Sequence, residues 1–298
     1  MNLIIGGTGD LGRALTRRLL AAGKPVRVMT RDRARAADAA AAGAVVVEGD
    51  LLDRESLVAA CRGAEVVIAA AHSIFGRGPA ASVHVDGRGH RNLIDVAVAA
   101  GVRHFVYTSA YEHGPEYRTV PFFRIKYEVE DYLKSSPLAY TILRPTAFME
   151  THAHGLIGKP ILHNGKAILF GAGNRPRNFV AVADVARIAE LAVLDPSPKG
   201  ETIDIGGPTN PTSMDVVRLY EKASGRTAKV THLPLGLLRM MSQITRPLHP
   251  GISQVIRIGV LVDTFDHQFD ARAFEQRFSL QTTALEDWVS KKLSGIAV

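Results

Sequence analysis

Four glycines, Gly6, Gly7, Gly9 and Gly12, fall inside the ten residues LIIGGTGDLG (3–12), where an apolar run gives way to a helical pattern. Glycines at this density serve a backbone that must turn tightly and leave its amides open to a bulky anion, with no Cβ in the way. Two spacings are satisfied at once, Gly7-x-Gly9-x-x-Gly12 and Gly6-x-x-Gly9-x-x-Gly12. Ahead of a helix, such a loop aims N–H groups and the positive end of the helix dipole at a phosphate. The stretch Gly6, Gly7, Thr8, Gly9, Asp10, Leu11 and Gly12 is therefore read as a pyrophosphate cradle for a dinucleotide. The plainer alternative is a glycine turn that only lets a strand pack on a helix.

The second apolar run ends in Thr30, followed by Arg31, Asp32 and Arg33. An acid at this place binds a ribose 2′-hydroxyl, whereas an arginine binds a 2′-phosphate. Asp32, roughly 20 residues past the last glycine, has the spacing of the acid, but it is equally the natural N-cap of RARAADAAAAG (33–43), an Ala-rich stretch read as one helix. Arg31 suits a planar contact with adenine and a charged one with phosphate. On this balance NADP(H) is preferred over NAD(H).

Positioning such residues takes alternating strands and helices. Six short apolar runs, NLIIG, PVRVMT, AVVVEG, EVVIAA, HFVYTS and AYTILRP, are separated by helical stretches, the pattern of βαβ units around a parallel sheet. In LGRALTRRLLAAG, Leu11, Leu15, Leu19 and Leu20 recur at helical spacing and Gly23 supplies the stop. Near-continuous apolar strands imply helices on both faces of the sheet. After Pro145 the rhythm changes: residues 167–194 read as two short strands around a Gly-rich turn and then a helix, TIDIGG (202–207) as a further strand, and LPLGLLRMMSQI and ISQVIRIGVLV as helices packing over something.

At 298 residues and 46% hydrophobic content the chain can bury a full core. Its single cysteine, Cys61, excludes an internal disulfide and a cysteine-built zinc site, and is read as a packed small hydrophobe. No basic leader precedes the first strand and no apolar run reaches about 18 residues, so a cytoplasmic setting without a membrane span is expected. The net charge of +7 is spread over dispersed arginines and not gathered in one block. Nucleic acid is not expected as a partner, and an anionic cofactor accounts for part of the basicity.

These residues, with GDLLD (49–53), DGRGHRNLIDVAVAAGVRHFVYTSA (86–110) and YTILRP (140–145), resemble the NmrA-like branch of the atypical short-chain dehydrogenase/reductases. The likeness continues more faintly through NFVAVADVARIAE (178–190) and TIDIGG. It implies a doubly wound parallel Rossmann sheet over 1–150 and a small C-terminal α/β substrate-binding region over 151–298, intertwined with the core through 178–206. It further implies that Asp50 and Leu51 lie against adenine, and that Ala70, Ala71 and His72 border the nicotinamide ribose. By the same resemblance Thr108 and Ser109 stand beside the nicotinamide, Lys126 holds the ribose hydroxyls, and Pro145, Thr146 and Phe148 follow along the nicotinamide and substrate side. Asp50 could equally only make a turn, and Ser109 only satisfy a strand end. Lys126 in RIKYEVEDYLKSS could instead form an i, i+4 surface pair with Glu130.

Most short-chain dehydrogenases place a tyrosine four residues before that lysine, where a phenol of lowered pKa exchanges the proton of an alcohol. Here that position is Phe122, and none of the seven tyrosines has a lysine four residues on. A phenyl ring transfers no proton. The resemblance then implies hydride transfer to an electron-poor acceptor such as a quinone, with Lys126 and Ser109 as the catalytic candidates. The alternative is a non-catalytic NADP(H) redox sensor acting on a protein partner; a nucleotide-sugar epimerase or dehydratase ranks third. A homodimer is compatible with either. Tyr111 and His113, on the loop after the fifth strand, and His72 are further proton-donor candidates.

Three other constellations remain. His152 and His154 in THAHG stand at i, i+2, a spacing that on a strand faces one side, yet they lack a third ligand in register for a metal and suit a pocket wall better. Arg175 and Arg177 in GNRPRN could meet an anionic substrate or lie in a solvated turn. No Gly-x-Ser-x-Gly elbow or Walker lysine loop is present.

Overall fold

In a computed structural model, residues 1–111, 113–195 and 199–295 are described. The six expected strands form as β1 (Asn2–Ile5), β2 (Val26–Thr30), β3 (Val45–Glu48), β4 (Val66–Ala69), β5 (His104–Thr108) and β6 (Tyr140–Pro145). Short strands β7 (Ala147–Phe148), β8 (Lys166–Phe170) and β9 (Phe179–Val180) follow, then β10 (Glu201–Ile205) and β11 (Lys229–Leu233). The helices are α1 (Asp10–Ala21), α2 (Ala37–Ala41), α3 (Arg54–Cys61), α4 (His90–Ala99), α5 (Pro121–Lys134), α6 (Lys159–Asn164), α7 (Val182–Leu194), α8 (Ser213–Ser224), α9 (Leu235–Thr245), α10 (Pro250–Thr264), α11 (Arg272–Phe278) and α12 (Leu285–Leu293).

The central sheet has seven strands in the order β10-β6-β5-β4-β1-β2-β3, with β1 to β6 parallel. From β1 the chain winds outward to β2 and β3, then returns to place β4 on the other side of β1. Neighbouring strands at such a reversal send their following loops apart and open a crevice at their carboxyl ends, which is where doubly wound sheets hold ligands. The fold is the expected doubly wound α/β sheet. Leu3, Ile5, Val67, Phe105, Tyr107 and Ile142 from the strands meet Leu57, Leu93, Ile94, Val129 and Leu133 from α3, α4 and α5 in one core. Cys61 is buried in it, and burial pushes its thiol up to about 11, so it behaves as a hydrophobe.

The chain divides into two compact units. The first comprises Met1–Ala110, Pro121–Arg144 and Val185–Ile203; the second comprises Tyr111–Val120, Pro145–Asp184 and Asp204–Val298. The second unit has its own core, in which Phe179, Tyr220 and Trp288 pack with Met149, Ile157 and Leu169. The pair of strands expected around the Gly-rich turn does form, but the two do not pair with each other: β8 pairs with β11 and β9 with β7. A period-two pattern fixes a strand but not its partner.

One local expectation is corrected. The Ala-rich stretch is not one helix: Arg33–Ala36 makes a tight 3₁₀ turn and only Ala37–Ala41 is α-helical. Good propensity does not carry a segment this short past the nucleation cost of a helix. THAHG lies within Met149–Gly158, which winds as a wide π-type helix. His152 and His154 therefore do not share a strand face; His154 Nδ1 lies 3.0 Å from the Tyr220 hydroxyl and His152 Nδ1 lies 3.2 Å from the Phe148 carbonyl.

Candidate nucleotide site

The glycines of the first loop do different work. Gly6 has φ +84°, and a Cβ there would lie 2.7 Å from the Ala71 nitrogen at the end of β4. At Gly7 a Cβ would meet Val28 of β2 at 2.5 Å, and at Gly12 it would strike the Gly6 carbonyl and lie 2.5 Å from Gly7 Cα. These three let β1, β2, β4 and α1 approach one another. Gly9 differs: its nearest neighbour would be the Gly6 oxygen at 3.5 Å, an ordinary contact. Gly9 is exposed and N-caps α1 without a side-chain capping bond, so among the described residues no side chain caps the first turn of the helix. A methyl group would fit at Gly9 without displacing any atom.

Arg13, which the sequence analysis did not single out, braces this loop. Its Nε donates to the Thr8 carbonyl at 3.0 Å, while its two terminal nitrogens reach Asp38 Oδ2 at 2.6 Å and the Arg35 carbonyl at 3.1 Å. The residue thus ties the glycine loop to the segment after β2. Its only sequence signal is its position just past Gly12, on the loop side of α1.

At the end of β2, Asp32 Oδ1 accepts from the Ala34 amide at 2.9 Å, which makes it the cap of the following turn. Arg31 beside it is exposed. After β3, Asp50 Oδ1 accepts from the Leu52 amide at 2.8 Å and so makes a turn, and Leu51 is buried with its side chain in the core. Ala70 and Ala71 close β4 against Gly6. His72 presents surface to solvent yet is crowded enough that desolvation holds its imidazole below the usual range, the Lys126 ammonium adding to the effect and Asp86 opposing it.

Lys126 is 3% exposed, so the alternative of a surface pair with Glu130 fails. Glu130 is itself buried and accepts a bidentate bond from Arg144, with Lys134 at 3.6 Å. Lys126 Nζ donates to the Thr108 carbonyl at 2.9 Å and lies 4.9 Å from the Tyr107 ring and 5.7 Å from the Phe122 ring. Burial lowers its pKa, and Asp86 and Glu130 counteract this. Thr108 and Ser109 are both buried, and among the described residues neither hydroxyl has a hydrogen-bond partner. Two orphaned hydroxyls beside a buried ammonium are costly unless something polar satisfies them.

Asp86, missed in the sequence, is completely buried in the wide turn 83–89. It accepts from Ser82 Oγ at 2.5 Å and from the Ser73 amide at 3.1 Å, fastening the loop after β4 to the start of α4. Phe122 is buried edge-on to His72 at 6.2 Å between centroids, so no phenol stands where the usual acid would be.

In the second unit, the Thr146 amide donates to the Ile205 carbonyl at 2.9 Å and its hydroxyl to Asn178 Oδ1 at 2.9 Å. Pro145 is buried and Phe148 is half-buried in β7. His113 does not suit the donor role considered for it: burial, with His267 and Arg177 nearby, pushes its imidazole down to about 3, leaving it without a proton to give near neutral pH. Tyr111 packs edge-on to Phe269 at 5.3 Å.

A parallel sheet reversing at β1 and β4, with a glycine loop open at Gly9, defines the class of doubly wound nucleotide-binding folds. More specifically, the chain belongs to the NmrA-like family, which it matches over residues 2–290. It is 30% identical to the photosystem II assembly factor Ycf39 of Cyanophora paradoxa, with 99% of this chain and 92% of the relative covered. It is 26% identical to the NAD(P)H azoreductase of Xenophilus azovorans, covering 79% and 78%. Among solved structures, an NADPH-dependent quinone oxidoreductase of Escherichia coli in complex with NADPH superposes with a TM-score of 0.76 at 24% identity, covering 98% of this chain and 100% of that one. Among the described residues no helix is long and apolar enough to cross a membrane.

Proposed function

We propose that the protein is an NADP(H)-dependent oxidoreductase that passes hydride to an electron-poor acceptor such as a quinone. The observation that carries this is the open position at Gly9: three glycines of the loop are occupied by packing, and the fourth leaves room in front of uncapped helix amides. The names of the azoreductase relative and the quinone oxidoreductase neighbour agree with it. NADP(H) is favoured over NAD(H) because Asp32 is engaged with its own turn while Arg31 stands exposed beside it. Bound there, the nicotinamide would supply the hydride. Lys126 would then hold the ribose hydroxyls with the donors it does not spend on Thr108. Ser109 would turn its unpartnered hydroxyl to the acceptor oxygen, and Phe122 would leave final protonation to water. Steady-state assays with NADPH and NADH against a panel of quinones and azo dyes test this. Turnover with NADPH is expected, and tight NADPH binding without turnover of any acceptor overturns the enzyme reading.

That outcome would favour a second reading, a nucleotide-bound regulator acting on a protein partner. It is supported by the buried phenyl ring at position 122 and by relatives named as assembly factors. Its mark would be a partner affinity that differs between the NADP+ and NADPH forms.

A further inference from the structure

The two arginines of GNRPRN part company in the fold. Arg175 is exposed and pairs with Asp266 at 3.4 Å, as a solvated turn would have it. Arg177 is drawn into the second unit while keeping part of its surface open. Its backbone bridges to His267, its amide donates to the Pro211 carbonyl, and its guanidinium lies 4.6 Å above the Phe179 ring. Among the described residues no carboxylate stands within ion-pair distance of it; Arg175, Arg218 and Arg272 in the same unit each have one.

Around Arg177 the same unit gathers aromatic rings. His113 lies edge-on to His267 at 4.7 Å between centroids, Tyr117 to His267 at 5.2 Å, and Tyr111 to His113 at 4.6 Å. The Tyr117 hydroxyl sits 3.0 Å from His267 Nδ1. Both histidines are held below their usual range by burial, with Arg177 adding to it, so the rings stay neutral beside the guanidinium. Desolvation brings even the guanidinium down to about 10, opposed only by the Tyr117 phenol. A desolvated guanidinium with no acid partner costs free energy that a bidentate anion would return.

We infer that Arg177 is a recognition site for the carboxylate of an aromatic substrate, the planar anion meeting the guanidinium fork while its ring packs among Tyr111, His113 and Tyr117. This rests on the reductase reading above and narrows its acceptor to electron-poor rings that carry an acid group, since a neutral quinone would leave the charge unanswered.

Calorimetric titration of anthraquinone-2-carboxylate and of its uncharged carboxamide tests the inference without turnover. In the wild type the carboxylate is expected to bind about tenfold more tightly or better, the size of a charge-assisted bidentate pair. Arg177→Gln should bind the two alike, and Arg175→Gln should keep the preference. Equal affinities in the wild type, or a preference surviving in Arg177→Gln, overturn the site. The wild-type comparison decides alone if the Arg177→Gln variant does not fold. NADPH titrated into the wild type reports separately: NADPH binding without carboxylate preference sinks this inference and spares the reductase reading, whereas preference without NADPH binding does the reverse.

Discussion

At Gly9 a single hydrogen atom separates structure from function. A methyl group there meets no atom closer than 3.5 Å, so Gly9→Ala should fold as the wild type does and unfold at the same urea concentration. It should nonetheless weaken NADPH binding by about tenfold or more, because the methyl enters the space through which pyrophosphate approaches the amides. Fluorescence titration of NADPH beside a urea melt separates the two quantities; unchanged affinity would show that the loop only packs. The glycine count is visible in the sequence, while the division of labour among the glycines is not. Spacing alone makes all four equivalent, and only the positions of Ala71, Val28 and Gly6 around them tell which one is free.

At the scale of elements, the neighbouring glycine should behave in the opposite way. Gly12 sits where α1 crosses β1, and Gly12→Ala would drive its Cβ into the Gly6 carbonyl and Gly7 Cα, backbone atoms that cannot rotate aside. A loss of about 3 kcal/mol or more is expected, measured by chemical denaturation, with cofactor binding lost through the fold and not selectively. Far from this loop, α8 begins with a capping box: Thr212 Oγ1 accepts from the Asp215 amide at 3.1 Å and Asp215 Oδ2 accepts from the Thr212 amide at 3.0 Å. Thr212→Ala should cost about 1 kcal/mol and leave NADPH affinity unchanged. Equal losses of cofactor binding from both substitutions would mean that the loop has no special relation to the nucleotide. Element identity was largely legible because periodicity is local. All six early strands were, whereas the Ala-rich segment and THAHG were not, since a five-residue helix and a π-type turn are settled by what they pack against.

For the whole molecule, buried histidines set the acid limit. His90 is fully buried, and its imidazole is pushed down to about 4, chiefly by desolvation and then by the Lys126 charge. An unfolded chain takes up that proton near the ordinary value of about 6.5. The native state refuses it until about pH 4, so stability is complete above the unfolded value and falls as the pH drops through that window. The loss from His90 alone amounts to about 3 kcal/mol. His104, also buried and held at about 4, adds to the same decline. Denaturation midpoints at pH 7, 5.5 and 4.5 should therefore decrease, and less steeply in His90→Phe; an identical slope in the variant would assign the decline elsewhere.

Read alone, the chain already displays the alternation of strands and helices, the place of the glycine loop, the arginine that follows the second strand and the absence of a tyrosine four residues before Lys126. All of these follow from residue type and near-neighbour spacing, which short-range sterics and hydrophobic periodicity read directly. Only the folded chain decides that Lys126 is buried against Thr108 and not paired with Glu130, that Arg13 and Asp86 clasp loops remote in the chain, and that Arg177 lacks, among the described residues, the acid that Arg175 has. Each of these, like the exposure of Arg31, depends on which distant segments come within a few ångströms, and burial, unlike propensity, is a property that no residue has until the chain has closed around it.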